Sequence, residues 1–319
     1  MRTYLLLLLI SVCSINAFSQ TYRDEFGFKT DNDSYLASGS DRYYTNGLFI
    51  YFNRALAVKD DNSSLANKIL GFELGQKMYN AQAGIIPAAV YVDRPFAGYS
   101  YVASSLNFLY KDESNIKLSA QLGVIGPASG AQAIQEWVHQ TLGQYKIAGW
   151  EFQIKNNAEV NLSMEYNRLL ARATGIDVSL ASYANLGNGF TGAGVGPLLR
   201  LGSFNQLFYS QTTQSTVTAD KAIKPLHEHE LFFYYKPQLN WVGYDATIEG
   251  GIGQDHNYFS TGQVVSVKEP FIFNQQLGAA YTTNRWVYEA SVLFETKETK
   301  EMVHNGHQWG SIEILYHFN

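Results

Sequence analysis

The sequence has a single cysteine, Cys13, so neither a disulfide within the chain nor a multi-thiolate metal site is open to it. Charge is scarce, with 16% charged residues and a formal net charge of −5, which argues against nucleic acid as a partner. After the N-terminal run 4–12 there is no apolar stretch long enough to span a bilayer as a helix. A GxSxG elbow is absent, and no serine stands out as a nucleophile, so nothing in the sequence marks an acyl-enzyme.

What is present begins at the N-terminus. Met1 and Arg2 precede the short apolar core "YLLLLLISV" and the exit "CSINAFSQ", the order of a secretory signal peptide over 1–19. Cys13 falls inside that signal, and Val12 before it is a poor residue for lipoprotein processing. The remainder, 20–319, fits one large β domain. It is rich in aromatics, with 22 Tyr, 19 Phe and 5 Trp. An exported, tyrosine-rich chain with no apolar helix span points to a transmembrane β-barrel, with a secreted β-sandwich as the alternative.

The C-terminal "SIEILYHFN" alternates Ile312, Ile314, Tyr316 and Phe318 with Glu313, Leu315, His317 and Asn319. That is a strand with one apolar face. "WVYEASVLF" repeats it, with Trp286, Tyr288, Ala290, Val292 and Phe294 on one side, and "TTNR" is a tight turn from "FIFNQQLGAAY". Thirteen such segments are found, and merging "ELFFYYKPQL" with "YDATIEGGI" into one strand over 230–250 leaves twelve, the even number expected of a bacterial barrel. With both termini periplasmic, the outer connections are 31–44, 80–98, 125–157, a short one near Gly187, 251–270 and 297–307. The segment 204–228 then lies on the periplasmic side, where turns are usually short, and does not fit.

One segment departs from period two: "SGAQAIQEWVHQTLG", 129–143. Ser129 and Gln132 have capping-box spacing, and Gly143 suits a helix stop. Ile134, Trp137, Val138, Thr141 and Leu142 form one arc, with Gln132, Gln135, Glu136 and His139 opposite. Two readings follow: a surface helix over the barrel mouth with His139 solvated, or a site in which His139 is a general base and the preceding "GVIGPAS" turn offers N–H donors to an oxyanion.

These blocks resemble a known family, the lipid A 3′-O-deacylases (LpxR). The matching pieces are "NDS" and "DRYYTNG", then "DRPFAGY", then "GVIGPASGAQAIQEWVHQTLG" with "GWEFQIKN", in order along nearly the whole mature chain. The resemblance implies a twelve-stranded antiparallel outer-membrane barrel with a short helix in an extracellular loop. It further implies calcium-dependent hydrolysis of the ester holding the 3′-linked acyloxyacyl group of lipid A in the outer leaflet, by a site facing outside. By position it assigns His139 as base, with Asn32, Asp33 and Thr45 as further site residues. Asp33 and the Asn32 amide oxygen are of the oxygen type calcium prefers. The sequence departs from the family at Asp31, where Glu is common, and at Tyr145, where some members carry an acid; Glu136 and Glu151 are candidate replacements for orienting His139.

Arg42 and Arg94, with nearby Lys77, are candidates for lipid A phosphates, although Arg94 could equally pin its own loop to Asp93 or another acid. Gln135, one turn from His139, is a further substrate-binding candidate. His227 and His229 read as a polar strand end; His256, His304 and His307 read as solvated loop residues. A monomer in the membrane is expected. Other readings of the chain are a phospholipase-type outer-membrane esterase and a non-catalytic barrel.

Overall fold

The computed structural model describes residues 21–36, 41–58, 63–220 and 222–319; the expected signal 1–19 and Cys13 lie outside them. Twelve antiparallel strands close into a barrel, with β1 (Asp24–Asn32) sealed against β12 (Gly306–Phe318). Between them run β2 (Tyr43–Ala55), β3 (Leu65–Asn80), β4 (Ala97–Tyr110), β5 (Ser114–Ile125), β6 (Asn157–Ala173), β7 (Ile176–Gly187), β8 (Phe190–Ser203), β9 (Leu231–Asp245), β10 (Phe271–Thr282) and β11 (Trp286–Thr296). Every sequence-predicted strand is present. The merged strand stops at Asp245, because the Asp245 side chain caps a helical turn, Ala246–Glu249, and Gly250 follows at φ 78°.

The period-two alternation sorts each strand between membrane and lumen. Phe26, Phe28, Ile50, Phe72, Leu74, Val102, Ile312 and Ile314 point outward and are exposed, as a lipid-facing band requires. Their neighbours Glu25, Glu313, Leu315 and His317 are buried inside. No helix among the described residues is long and apolar enough to cross a membrane; the strands do the crossing.

The segment that did not fit as a turn is a plug. From Phe204 onward the chain folds back into the lumen instead of linking β8 to β9 directly. The Gln211 amide donates to Glu289 on β11 (3.0 Å) and Glu313 on β12 (2.8 Å). Asn67 on β3 donates to the Val217 carbonyl (2.9 Å) and Asn107 on β4 to the Thr213 carbonyl (2.9 Å). At its base Arg200 bridges Asp177 (2.6 Å) and Ser210 (3.0 Å). A wall of inward polar side chains left unpaired would be expensive to bury, and the plug supplies the partners.

Candidate active site

The site is assembled on the outside of the barrel wall, near the rim that carries the long loops. The lipid-facing sides of β1 to β4 turn polar there: Asn32, Asn46, Gln76 and Ser100 share the outward parity of Phe28, Ile50, Leu74 and Val102. Register aligns Asn32 with Asn46 and Gln76 with Ser100. Such groups facing hydrocarbon would be costly, and the loop between β5 and β6 covers them. Gln76 and Ser100 donate to the Ser129 carbonyl at 2.9 and 2.8 Å. Gly98 permits this contact, since a Cβ there would lie 2.1 Å from Ser129 Oγ and 2.3 Å from Ala131 Cβ.

That loop carries α1 (Ala131–Leu142), the predicted helix, lying against β3 and β4. Its inward face combines Gln135 and His139 from the polar arc with Ala131 and the partly buried Ile134, while Glu136 stays exposed. Gln135 and His139 are buried, whereas Trp137 and Leu142 are 65% and 66% exposed. The solvated-histidine reading is thereby corrected. On a soluble domain the apolar arc would face protein, but here the outside medium is the membrane interface, where Trp and Leu are at home. The capping box is also corrected: Gly130 at φ 72° is the N-cap, with no side-chain cap bond. Gly143 does end the helix, at φ 67°.

His139 occupies the last turn. Its Nδ1 lies 2.9 Å from the Tyr145 carbonyl; a carbonyl only accepts, so Nδ1 carries a proton, and in the neutral ring the lone pair is on Nε2. Nε2 faces Asp41 Oδ1 at 3.6 Å. The Tyr145 hydroxyl donates to the other Asp41 oxygen, and its ring stands edge-on to the imidazole at 5.0 Å. Asp41 is held at φ 43°, a left-handed conformation that Asp tolerates better than most residues. Glu136 bonds Gln132 and Glu151 accepts from Gly149, so neither of these candidates orients the histidine.

Asp33 sits in a 3₁₀ turn, Asp33–Leu36, directly after β1. Its carboxyl is pushed up to about 7, first by burial and then by the negative charge of Asp41, against the pull of backbone N–H groups including that of Arg42. Asn32 is tied on both sides: its oxygen accepts from Ser34 N (2.7 Å) and its amide donates to Asn46 Oδ1 (2.5 Å). Thr45 is the extra residue of a β-bulge between Tyr44 and Asn46. It is fully buried, with its hydroxyl toward the Met78 carbonyl at 3.4 Å. Gln135 accepts from the Trp150 indole (2.9 Å) while its Nε2 has no partner. Facing His139, then, is the Asp41 carboxylate, and one turn away on α1 is an amide donor, Gln135 Nε2, without a partner among the described residues.

A pH dependence follows from Asp33. Its folded carboxyl holds a proton up to about 7 where the free side chain releases it near 3.8, so its contribution to stability is complete below the lower value and is lost as pH rises through the higher. In chelated buffer, amide protection factors of residues 33–36 and 41–42 should fall across that window. Asp33→Asn should flatten the response; an unchanged slope in that variant would assign it elsewhere.

Other sequence candidates fall outside this cluster. Arg94 is fully buried, clamps Glu298 through Nε (2.7 Å) and Nη2 (3.2 Å), and stacks 4.0 Å over the Tyr79 ring. It pins loops, and the phosphate-binding expectation is corrected. Lys77 lines the lumen cavity on the opposite side of the wall. Arg42 reaches Asp33 through its backbone N–H, at 3.2 Å. The "GVIGPAS" turn is no oxyanion cradle: the N–H groups of Gly126, Ala128, Ser129 and Gly130 are all taken within the protein. Sequence reasoning missed Asp41, which reads as one more turn former, and the Tyr145 carbonyl, which no side-chain pattern reveals.

A closed antiparallel barrel with an apolar outward band, carrying a polar, histidine-bearing cluster against its outer wall, defines a bacterial outer-membrane protein. The family model "Outer membrane protein LpxR" matches residues 4–318, and the chain belongs to that family. Among solved structures, LpxR from Salmonella typhimurium matches with a TM-score of 0.73 at 20% identity, covering 92% of this chain and 100% of that one. The β-domain of the Bordetella autotransporter BrkA matches at 0.47 and 10% identity, over 94% of this chain and 100% of that one. No curated protein matches the sequence significantly.

Proposed function

We propose that the protein is a lipid A 3′-O-deacylase, hydrolysing the ester of the 3′-linked acyl group from the outer face of the outer membrane. The observation that carries this reading is His139, buried on the face of α1 toward the barrel wall, with Nδ1 fixed by a carbonyl and Nε2 turned to Asp41. A lipid lying in the outer leaflet reaches such a pocket sideways, without leaving the membrane.

In this mechanism Nε2 of His139 takes a proton from water as the water oxygen attacks the ester carbonyl. The carbonyl π electrons move to oxygen. Gln135 Nε2, a buried donor with no other partner, donates to that oxyanion. Collapse breaks the bond to the sugar oxygen, which takes the proton back from His139, releasing the fatty acid and an alcohol. The Tyr145 carbonyl holds the imidazole through both transfers.

The family resemblance implies calcium. The donor set fits a hard cation: Asp33 and Asp41 offer carboxylate oxygens, and the charge of Asp41 adds to burial in raising the Asp33 carboxyl. Asp33 and Asp41 would hold the ion, while the Asn32 oxygen is already engaged by Ser34. When bound, it would stabilise negative charge developing on the substrate.

The test is mass analysis of lipid A and of phospholipid after incubation with detergent-solubilised protein, in calcium or chelator. Loss of the 3′ acyl group in calcium alone supports the proposal. Phospholipid cleavage alone would make it a phospholipase-type esterase, and no cleavage of either a non-catalytic barrel. Gln135→Glu keeps the acceptor for Trp150 and removes the donor, so turnover should fall by about 10²–10³-fold with little change in KM. A variant with unaltered turnover would remove Gln135 from the mechanism.

A further inference from the structure

We propose a second metal site, inside the barrel, in which Glu295, Glu298 and His307 bind one divalent transition-metal ion of the zinc class. Each residue contributes a ligand atom, and the three atoms lie within 4.8 Å of one another. The sequence placed His307 in a solvated loop. It is in fact the second residue of β12, with its side chain 1% exposed. Neither of its ring nitrogens has a hydrogen-bond partner. A buried imidazole left wholly unbonded is rare and calls for an explanation.

Its ring is aimed at acids. Register pairs His307 with Glu295 across β11 and β12, both facing the lumen. Nε2 stands 3.8 Å from Glu295 Oε1 and 4.0 Å from Glu298 Oε2, too far to hydrogen-bond. Ligands of a tetrahedral zinc ion stand roughly 3.3 Å apart, so each His307–carboxylate distance closes by about half an ångström on an ion and the carboxylate pair by no more than about 1.5 Å. One imidazole with two carboxylates suits zinc or its neighbours better than calcium, which prefers oxygen alone.

The surroundings support an ion here. Arg94 fixes Glu298 by its two-point clamp, while Trp309 stacks on the His307 ring at 5.2 Å; both hold ligands in place, as supporting groups around metals do. Arg94 and Arg42 are the guanidiniums acting on this pocket, against the carboxyls of Glu295, Glu298 and Asp245. Glu295 and Glu298 also line a lumen cavity of about 350 Å³, which gives an ion a route in. The site is separated by the barrel wall from Asp33, Asp41 and His139, and its proposal does not depend on the activity proposed above.

The experiment uses the full chain in detergent, stripped with chelator and titrated with Co²⁺ as the probe, reading the visible absorption of nitrogen-ligated cobalt. Bound zinc per chain is then measured by elemental analysis. One equivalent should bind in the wild type and in Asp33→Asn. Glu295→Gln and His307→Gln should each weaken binding at least tenfold, with the heat-modifiable gel shift of the folded barrel confirming that the variants close. Absence of a cobalt spectrum in the folded wild type would overturn the proposal, as would equal binding by all variants or loss only in Asp33→Asn.

Discussion

His139→Ala should lower deacylation by about 10²–10⁴-fold, the range a positioned general base contributes, while the barrel still folds. Folding should survive because the residue's bonded contact is to a loop carbonyl, away from the strand ladders that close the barrel. A sharper comparison is Tyr145→Phe. It deletes the hydroxyl bonded to Asp41 but leaves the Tyr145 carbonyl, and with it the tautomer of His139. Its activity should therefore fall far less than that of His139→Ala. Equal losses would shift the essential role from the imidazole to the Tyr145–Asp41 bond, and full activity in His139→Ala would leave the histidine a buried structural residue. The Tyr145 bond that sets the His139 tautomer comes from the backbone carbonyl, which a different side chain at 145 would leave in place.

The strands were legible because alternation is a local property: each needs only its own residues to declare a face, as Ile312, Ile314 and Tyr316 do against Glu313, Leu315 and His317. Parity then set the loops on alternate rims. The existence of α1 was equally local, but its orientation was not. The same pattern of Trp137 and Leu142 against Gln135 and His139 faces inward or outward according to the medium outside, and the medium enters only once the helix is known to lie against a lipid-facing wall. Thr45 illustrates a further limit. A bulge is a mismatch between two strands, so it is invisible in either sequence alone.

The plug shows a related failure. The 204–228 segment has no periodicity because its purpose is to satisfy inward polar groups spread over β1, β3, β4, β8, β11 and β12, each at a different height. Gln211, for instance, answers Glu289 and Glu313, residues 78 and 102 positions away. Asp41 was missed for the converse reason: it sits among turn formers and shares their composition, and its approach to His139 depends on a helix nearly a hundred residues later. Buried polar networks are specified by tertiary placement, and both the plug and the site are of that kind.

Arg94→Ala should destabilise the loop-rich rim by about 3–5 kcal/mol, the usual consequence of leaving a buried charge without its partner. The substitution strands Glu298 in a pocket that already holds Glu295, removes the guanidinium stacked on Tyr79, and frees the 80–98 connection from the one between β11 and β12. The loss should appear as faster amide exchange in both connections and a lower denaturant midpoint in detergent. Arg94→Met with Glu298→Gln should recover most of it, since that pair removes both charges together and keeps similar volume. The phosphate-binding role expected of Arg94 from sequence makes the opposite forecast: weaker binding of lipid A with stability unchanged. A guanidinium with no exposed surface cannot reach a lipid phosphate without breaking its clamp on Glu298, so stability is the quantity that should move.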